Sequence, residues 1–369
     1  MAGCSTTIAP CDHPKSREIH SLGGADHHLA SAGGSQTSSR GGSRGSSAGR
    51  AAGRAAGRAA GRAAGRGRSR VPLKVPSIEL RSPAEIELLR AAGSLAALAL
   101  VAAQRACVAG ATTRDVDAAA HQVIRDGRGE ALFVAYRGAA GNRPAYPSAT
   151  CISVNEELVH GVPGPRIIRD GDLVSIDVGV RLDGWCADSA TTVCVGTVDP
   201  KHRALLACAQ AMLNHAIRAS VPGRRWSSIA RELEQIADDA GFAVAVDFVG
   251  HGIGRELHEP PQVPCSAYRS FVEHADFTLR PGMVLAIEPM VVAEKPLRTI
   301  GGELASPACT LAADEWTVIV DSGAVSCHFE HTVVVTREGA EVLTRADRAQ
   351  IDLVSNLPDE CAVDVRRVG

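Results

Sequence analysis

The chain has 369 residues, of which 45% are hydrophobic and only 3% aromatic. This suffices for one large domain or two ordinary ones, with a core built from Ala, Val, Leu and Ile. The eleven cysteines are odd in number and lack a CxxC pair, which argues against a disulfide framework and favours reduced thiols in the cytoplasm. No stretch is expected to reach the roughly 20 apolar residues of a membrane span, and the first 30 residues lack the apolar segment of a secretory signal.

The net charge of −2 is divided unevenly along the chain. Residues 1–74 hold twelve basic and three acidic side chains, and the remaining residues hold 27 basic and 38 acidic ones. The first segment is Ser/Gly-rich and then repeats Gly-Arg-Ala-Ala from Gly49 to Gly65, a composition typical of disorder. Three interpretations stay open: an arm that contacts phosphates of ribosomal RNA or other nucleic acid, an organellar transit peptide, or a dispensable extension or start codon assigned too far upstream.

Order is expected from about residue 75. Ser82-Pro83-Ala84-Glu85 is a helix start, with Ser as N-cap and Glu at the third helical position, and the apolar period continues to about Cys107. A second helix is predicted over Thr113–Asp126. Strands are predicted at Ala131–Tyr136 and Cys151–Val154, on either side of a loop rich in Gly, Pro and Asn.

The stretch from Gly171 to Val195 predicts a β-hairpin with a carboxylate in each arm. Asp177 lies in LVSIDVGV, Asp188 lies in the second arm, and Asp183-Gly184 between them favours a tight turn. Folding about that turn places the two aspartates roughly opposite each other. Facing carboxylates repel unless a cation or a shared proton lies between them; the alternative is a surface hairpin with two solvated aspartates.

The second part of the chain repeats the order of the first. Helices are predicted from Asp199 to about Ala219 and over Trp226–Ala240, followed by strands at Phe242–Val249, Met283–Val291 and Ala324–Val335. Two similar halves, about 82–196 and 197–345, indicate an α+β fold with mainly antiparallel strands.

Further polar residues stand in apolar or Gly-rich surroundings. Glu288 interrupts VLAIEPMVV, where a buried carboxylate is costly unless it is paired or bound to metal. The others are Glu330 in CHFEHTVVV, His160 in LVHGVP, and His251 and His258 at the ends of HGIGRELH. Each alone fits a solvent-facing strand position or a turn. With the two aspartates of the hairpin, the glutamates make four carboxylates. Four carboxylates and one imidazole can hold two divalent ions with a bridging carboxylate, and such a ligand set suits Mn, Fe, Co or Zn.

From Ser82 to Leu343 the chain resembles type I methionine aminopeptidases, which have the creatinase-like "pita-bread" fold. The resemblance rests on five motifs in the family's order: TCISVNEELVHGVPG, GDLVSIDVGVRLDGWCADSATT, GHGIGRELHEPPQV, RPGMVLAIEPMV and FEHTVVVT. It implies an α+β catalytic domain over 75–369, with two pseudo-symmetric halves and a curved, mainly antiparallel sheet, preceded by the disordered tail.

The resemblance also implies the roles of the site residues. The expected ligands of two divalent ions (Co, Mn, Fe or Zn) are Asp177, Asp188, His251, Glu288 and Glu330. Asp188 and Glu330 would bridge the ions, Asp177 would complete one ion, and His251 and Glu288 would complete the other. His258 would contact the scissile carbonyl and His160 the peptide nitrogen, and Glu288 would take the proton of the attacking water.

The methionine pocket matches the family less closely. Tyr146, Cys151 and Trp316 stand at pocket positions, and Tyr136 matches another. Leu257 precedes His258 where the family often has Phe, which should loosen the pocket wall. Two segments are longer than usual, 139–145 and 301–314, and the second is expected to overhang the site.

The implied function is hydrolysis of the peptide bond after the initiator methionine of nascent proteins whose second residue is small, by a cytoplasmic monomer without a membrane association. Two alternatives remain: an X-Pro aminopeptidase or dipeptidase of the same fold, and a non-catalytic pita-bread protein that binds partners.

Overall fold

The fold is described from a computed structural model, which covers residues 77–138, 141, 143–347 and 350–351. The basic segment 1–74, its predicted disorder and its interpretations lie outside these residues. The described residues all belong to one compact unit of the chain.

The helices begin and end close to the predicted positions. Ser82 caps the first helix in a capping box, in which its hydroxyl accepts from the Glu85 N–H and the Glu85 carboxylate accepts from the Ser82 N–H. Thr112 and Asp115 form the same motif at the second helix. Within the described residues the helices are α1 (Pro83–Ala106), α2 (Thr113–Asp126), α3 (Pro200–Ala219), α4 (Trp226–Ala240) and α5 (Arg269–His274).

The strands are short apart from those of one hairpin. They are β1 (Glu130–Ala131), β2 (Thr150–Val154), β3 (Glu157–Val159), β4 (Leu173–Leu182), β5 (Trp185–Cys194), β6 (Ala243–Val244), β7 (Gly250–Gly252), β8 (Glu259–Val263), β9 (Val284–Ile287), β10 (Met290–Val292), β11 (Leu297–Arg298), β12 (Leu304–Ala305), β13 (Cys309–Leu311), β14 (Val318–Val320), β15 (Ser326–His328), β16 (His331–Val335) and β17 (Ala340–Val342).

Two sheets carry the site. In the first, β4 pairs with β5 along one edge and with β2 and β1 along the other. The second has the order β17-β16-β9-β7-β8. Smaller sheets join β15-β10-β6, β13-β14-β3 and β11-β12. The strand pairings of the described residues are antiparallel, as predicted.

The predicted hairpin is confirmed as β4 and β5. Asp177 pairs with Ala190 and Asp188 pairs with Gly179, so the two aspartates are diagonal neighbours rather than direct partners. Because side chains alternate along a strand, this register puts both carboxylates on the same face of the sheet.

Four predicted strands are wrong in extent. Of the predicted strand Ala131–Tyr136, only Ala131 lies in a strand, because the chain turns after it and Ala135 has a φ of 63°. Phe242–Val249 is reduced to β6. Met283–Val291 is divided into β9 and β10 at Glu288-Pro289. Ala324–Val335 is divided into β15 and β16 at Phe329-Glu330. In the last two cases the strands on the two sides of the break join different sheets.

Each half has its own helix layer. α1 and α2 pack on each other, and α1 covers β4 and β5; α3 and α4 pack on each other, and α3 contacts β9, β10 and β15. Among the described helices, α1 alone is long and apolar enough to cross a membrane by length and composition, but 56% of its apolar window is buried inside the protein. Its buried face includes Leu89, Ala92 and Ala96, as in a core helix.

Candidate metal centre and peptide pocket

The predicted ligands converge on one point between the two large sheets. Asp188, His251 and Glu330 offer ligand atoms within 4.8 Å of one another, and so do Glu288, His328 and Glu330. Asp177 belongs to neither group. Its carboxyl group lies beside that of Asp188, and the two groups influence each other's pKa. The structure therefore brings together the five residues that the sequence singled out as ligands.

The strand β5 is tied to the segment around Glu330. The Thr332 hydroxyl accepts from the Asp188 N–H at 3.0 Å and donates to the Asp188 carbonyl at 2.8 Å. The Glu330 N–H donates to the Ala190 carbonyl, and the Ser189 hydroxyl donates to the Glu330 carbonyl, both at 2.9 Å. Backbone and hydroxyl groups thus fix two carboxylates that are far apart in sequence.

His251 is oriented by the backbone of its own strand, β7. Its Nδ1 lies 2.9 Å from the Gly252 carbonyl oxygen and donates to it, so the lone pair of Nε2 points away, towards Glu288 Oε1 at 3.3 Å. This outer hydrogen bond is the usual device that fixes the tautomer of a metal-binding imidazole. A side chain at Gly252 would overlap the Pro260 carbonyl oxygen, which explains the glycine in this motif.

Burial dominates the electrostatics of the carboxylates. It raises the pKa of Asp177, Glu288 and Glu330 well above the usual range, and the neighbouring negative charges add to the effect. Burial also raises the pKa of Asp188 to about 7. Four carboxylates this close therefore need shared protons or cations.

Burial acts in the opposite direction on the histidines. It lowers the pKa of His251 to about 4 and that of His160 to about 3. The pKa of His258 falls well below the usual range through burial and then through the neighbouring His251 and His160. At neutral pH these rings are uncharged and can act as ligands or hydrogen-bond partners.

The two histidines predicted as non-ligands lie beside the carboxylates. The ring centres of His258 and His251 are 4.5 Å apart, and His258 Nδ1 lies 3.1 Å from the Tyr136 hydroxyl. His160 lines the same cavity. It holds the strained φ of 59°, a conformation that is rare for residues other than glycine.

The predicted pocket residues line this cavity as well. The Tyr146 ring meets Trp316 edge to face at 5.3 Å, and its hydroxyl donates to the Gly161 carbonyl at 2.8 Å. Cys151 and Leu257 are buried in the same wall. Cys151 stands opposite Asp177 in the sheet, which links the pocket directly to the ligand strand.

The two long segments do not displace the pocket. The Tyr146 N–H donates to the Tyr136 carbonyl at 2.8 Å. The residues that flank the segment 139–145 therefore lie side by side in the pocket wall. Arg143 from this segment stacks on Trp316, with its guanidinium 5.3 Å from the ring centre. The expected overhang of 301–314 stays a prediction: no described residue of this segment is among those that line the cavity, and the segment contains β12 and β13.

Sequence reasoning missed part of the lining. The additional lining residues are Phe133, Val159, Phe248, Val249, Met290 and His328. The apolar ones carry no distinctive sequence signal, since they resemble ordinary core residues. His328 had a signal: it stands two residues before Glu330 in the same apolar run.

The chemistry of the cluster fits divalent metal ions. Asp177 Oδ1, Glu288 Oε1, Glu330 Oε1 and His328 Nε2 are buried without a hydrogen-bond partner. Buried polar atoms are rarely left unpaired in native proteins, and a group of anionic oxygens with imidazole nitrogen is a ligand set for a metal ion.

Comparison with known proteins agrees with this site. The sequence profile described as "metallopeptidase family M24" matches residues 87–337. The chain belongs to this family. It is 36% identical over 266 residues to methionine aminopeptidase 1 of Bacillus subtilis, covering 72% of this chain and 98% of that protein.

Solved structures of the M24 family confirm the expected fold. A crystal structure of methionine aminopeptidase from Thermotoga maritima has a TM-score of 0.65 and 36% identity, covering 73% of this chain and all of that one. Prolidase from Pyrococcus furiosus, at 24% identity and a TM-score of 0.54, covers 73% of this chain and 66% of its own, and shows the fold alone. The resemblance to methionine aminopeptidases, the pita-bread architecture and the class of metal-dependent aminopeptidase are thus confirmed.

Proposed function

We propose that the protein removes the initiator methionine from nascent proteins whose second residue is small. The observation that carries the proposal is the position of the carboxylate cluster at the wall of an apolar cavity. Cys151 of that cavity and Asp177 of the cluster are paired across neighbouring strands. A methionine side chain in the cavity would lie directly beside its scissile bond.

Asp177, Asp188, His251, Glu288 and Glu330 would hold two divalent ions, Co, Mn, Fe or Zn, with Asp188 and Glu330 as bridges. Such ions polarise a carbonyl and lower the pKa of water. The burial of the donor atoms and their missing partners support this assignment.

Three residues would handle the peptide and the protons. His258, held by Tyr136 at 3.1 Å, would donate to the developing oxyanion of the scissile carbonyl. His160 would contact the peptide nitrogen. The Glu288 carboxylate would accept the proton of the attacking water as a general base.

The smaller side chain of Leu257 would widen the methionine pocket relative to a Phe at that position. We further propose a cytoplasmic monomer that acts on nascent chains. The basic segment 1–74 would be an accessory that contacts the ribosome or RNA and takes no part in the chemistry.

Peptide cleavage tests the function. The purified protein, loaded in turn with Mn, Fe, Co and Zn, should release Met from Met-Ala-Ser and leave Met-Leu-Ser uncut. No release of Met with any of these ions would refute the proposal. Release of the first residue from an X-Pro peptide instead would favour the X-Pro alternative.

A further inference from the structure

His328 is a histidine of the site that the methionine aminopeptidase motifs do not include. It ends β15 and pairs with Met290 of β10. The side chain is only 4% exposed, and Nε2 is buried without a hydrogen-bond partner. A buried nitrogen without a hydrogen-bond partner lowers the stability of the fold. A bound ion would supply the partner that the described residues do not provide.

The nitrogen points into the carboxylate cluster. His328 Nε2 lies 3.8 Å from Glu288 Oε2 and 3.9 Å from Glu330 Oε2. Both distances are longer than the donor–acceptor distance of a hydrogen bond. They do match the spacing of two donors on one ion, because bonds of about 2.0–2.2 Å separate neighbouring ligand atoms by about 3–4 Å.

The backbone holds the imidazole in this place. The Thr192 hydroxyl of β5 accepts from the His328 N–H and donates to the His328 carbonyl, both at 2.9 Å. The Ser175 hydroxyl lies 2.9 Å from the same Thr192 oxygen. A donor fixed in advance loses little freedom when an ion binds, and metal sites are built in this way.

Glu288 lies between two imidazoles as a result. Its Oε1 faces His251 Nε2 at 3.3 Å, and its Oε2 faces His328 Nε2 at 3.8 Å. The two groups of ligand atoms share Glu330, and each contains one histidine. An ion bound between Glu288 and Glu330 can therefore take the His328 imidazole in addition to that of His251.

We propose that His328 Nε2 is a sixth protein ligand, which binds the ion held between Glu288 and Glu330. This rests on the proposed two-metal function and deepens it. A second neutral nitrogen donor shifts the preference of the centre towards ions that favour imidazole, such as Zn, Fe and Co, and away from ions that favour oxygen alone.

Two substitutions test the ligand. His328→Asn removes the donor at the Nε2 position, whereas His328→Gln places an amide oxygen near it. His331→Asn is the matched control, since His331 follows Glu330 and its Nδ1 bonds the Thr344 hydroxyl at 2.9 Å. Thermal melting of the metal-free proteins checks that every variant folds.

Metal binding and the number of bound imidazoles are the measurements. Titration with Mn²⁺ should show that His328→Asn lowers the affinity for one of the two ions by more than about 100-fold. Loss of a residue that only hydrogen-bonds a ligand usually lowers metal affinity by about 10–100-fold. His328→Gln should lose less affinity, and His331→Asn should bind like the wild type. With Co²⁺ bound, proton NMR should show two shifted imidazole N–H signals in the wild type and one in His328→Asn.

The outcomes separate this inference from the function. A wild type that binds two ions and releases Met, but shows a single imidazole signal, overturns the sixth ligand and leaves the function standing. Unchanged affinity in folded His328→Asn overturns it as well. A wild type that binds no ion overturns both.

Discussion

Asp188 is held through both its backbone and its side chain. Its backbone is bonded on both sides by the Thr332 hydroxyl, its Oδ1 accepts from the Ser189 N–H at 3.0 Å, and its carboxyl group adjoins Asp177. A residue held so firmly cannot move aside to compensate for a lost charge.

Replacing Asp188 with Asn should therefore abolish turnover, because the variant keeps the shape but loses one of the bridging charges. The measurement is Met release from Met-Ala-Ser together with the metal content of the protein. Asp183→Asn, in the exposed turn of the same hairpin, is the control and should keep full activity. Retained turnover in Asp188→Asn would contradict the two-metal assignment.

His258→Ala should lower kcat by about 10²–10³ while the metal stays bound, as expected for the loss of one oxyanion donor. Steady-state kinetics and metal analysis of the same sample measure the two effects. His274→Ala, whose side chain is 76% exposed, serves as the control. Loss of metal from His258→Ala would make His258 a ligand instead.

Strand breaks, rather than continuous strands, present Glu288 and Glu330, two of the proposed ligands of the second half. Glu288 follows β9 and Glu330 precedes β16. Both residues could be identified from the sequence, because carboxylates in apolar runs need partners and because both stand in motifs of the family. The break at Glu288 had a local signal, because Pro289 is unfavourable inside a buried strand. The division of each run between two sheets was not predictable, because it depends on tertiary pairing.

Other parts of the site show the same limit. The helices and the hairpin were predictable because caps, period and turn residues are local signals. The diagonal register of Asp177 and Asp188 was not, since a register depends on the whole sheet. His328 was overlooked because its role depends on contacts with Glu288 that sequence distance does not show.

Thr332→Val tests the connection between β5 and β16. The substitution keeps the volume but removes the hydroxyl that bonds both backbone groups of Asp188, so it should destabilise the protein by about 1–3 kcal/mol. Urea unfolding of the metal-free protein measures this, and metal affinity should fall as well. Thr310→Val, exposed in β13, should leave both unchanged; equal effects in the two variants would contradict the argument.

At the scale of the whole molecule, the buried charges make stability depend on pH and metal. The raised pKa values mean that the folded, metal-free protein binds more protons than the unfolded chain above the ordinary carboxyl range. Stability therefore falls as pH rises, by up to about 1.4 kcal/mol per pH unit for each group. Below about pH 6.5 the buried histidines, with lowered pKa values, act in the opposite direction.

Between pH 6.5 and 8 the histidines of the unfolded chain lose their remaining protons and the carboxylate effect predominates, so the melting temperature of the metal-free protein should decrease across this interval. Mn²⁺ should raise the melting temperature most at pH 8, where the carboxylates are charged. In the metal-free Asp188→Asn variant, the melting temperature should depend less on pH. A melting temperature that rises from pH 6.5 to 8 without metal would contradict the burial of these charges.

The site lies entirely within the described part of the chain, so removal of residues 1–70 should leave cleavage of a short peptide intact. The measurement is kcat/KM on Met-Ala-Ser for the full chain and the shortened chain. The acidic composition of the remaining chain should weaken ribosome or RNA binding in the shortened protein. A large loss of kcat would show that the first segment takes part in the catalytic fold.

The hydrogen bond between Ser189 and Glu330 joins positions 141 residues apart. Contacts of such long range form late in folding, because the intervening chain must first be confined. On the ribosome, β4 and β5 would emerge with their aspartates long before Glu330 is synthesised. The growing chain therefore passes through a stage with a half-built, strongly acidic site, and cannot process any substrate, itself included, until β16 has taken its place.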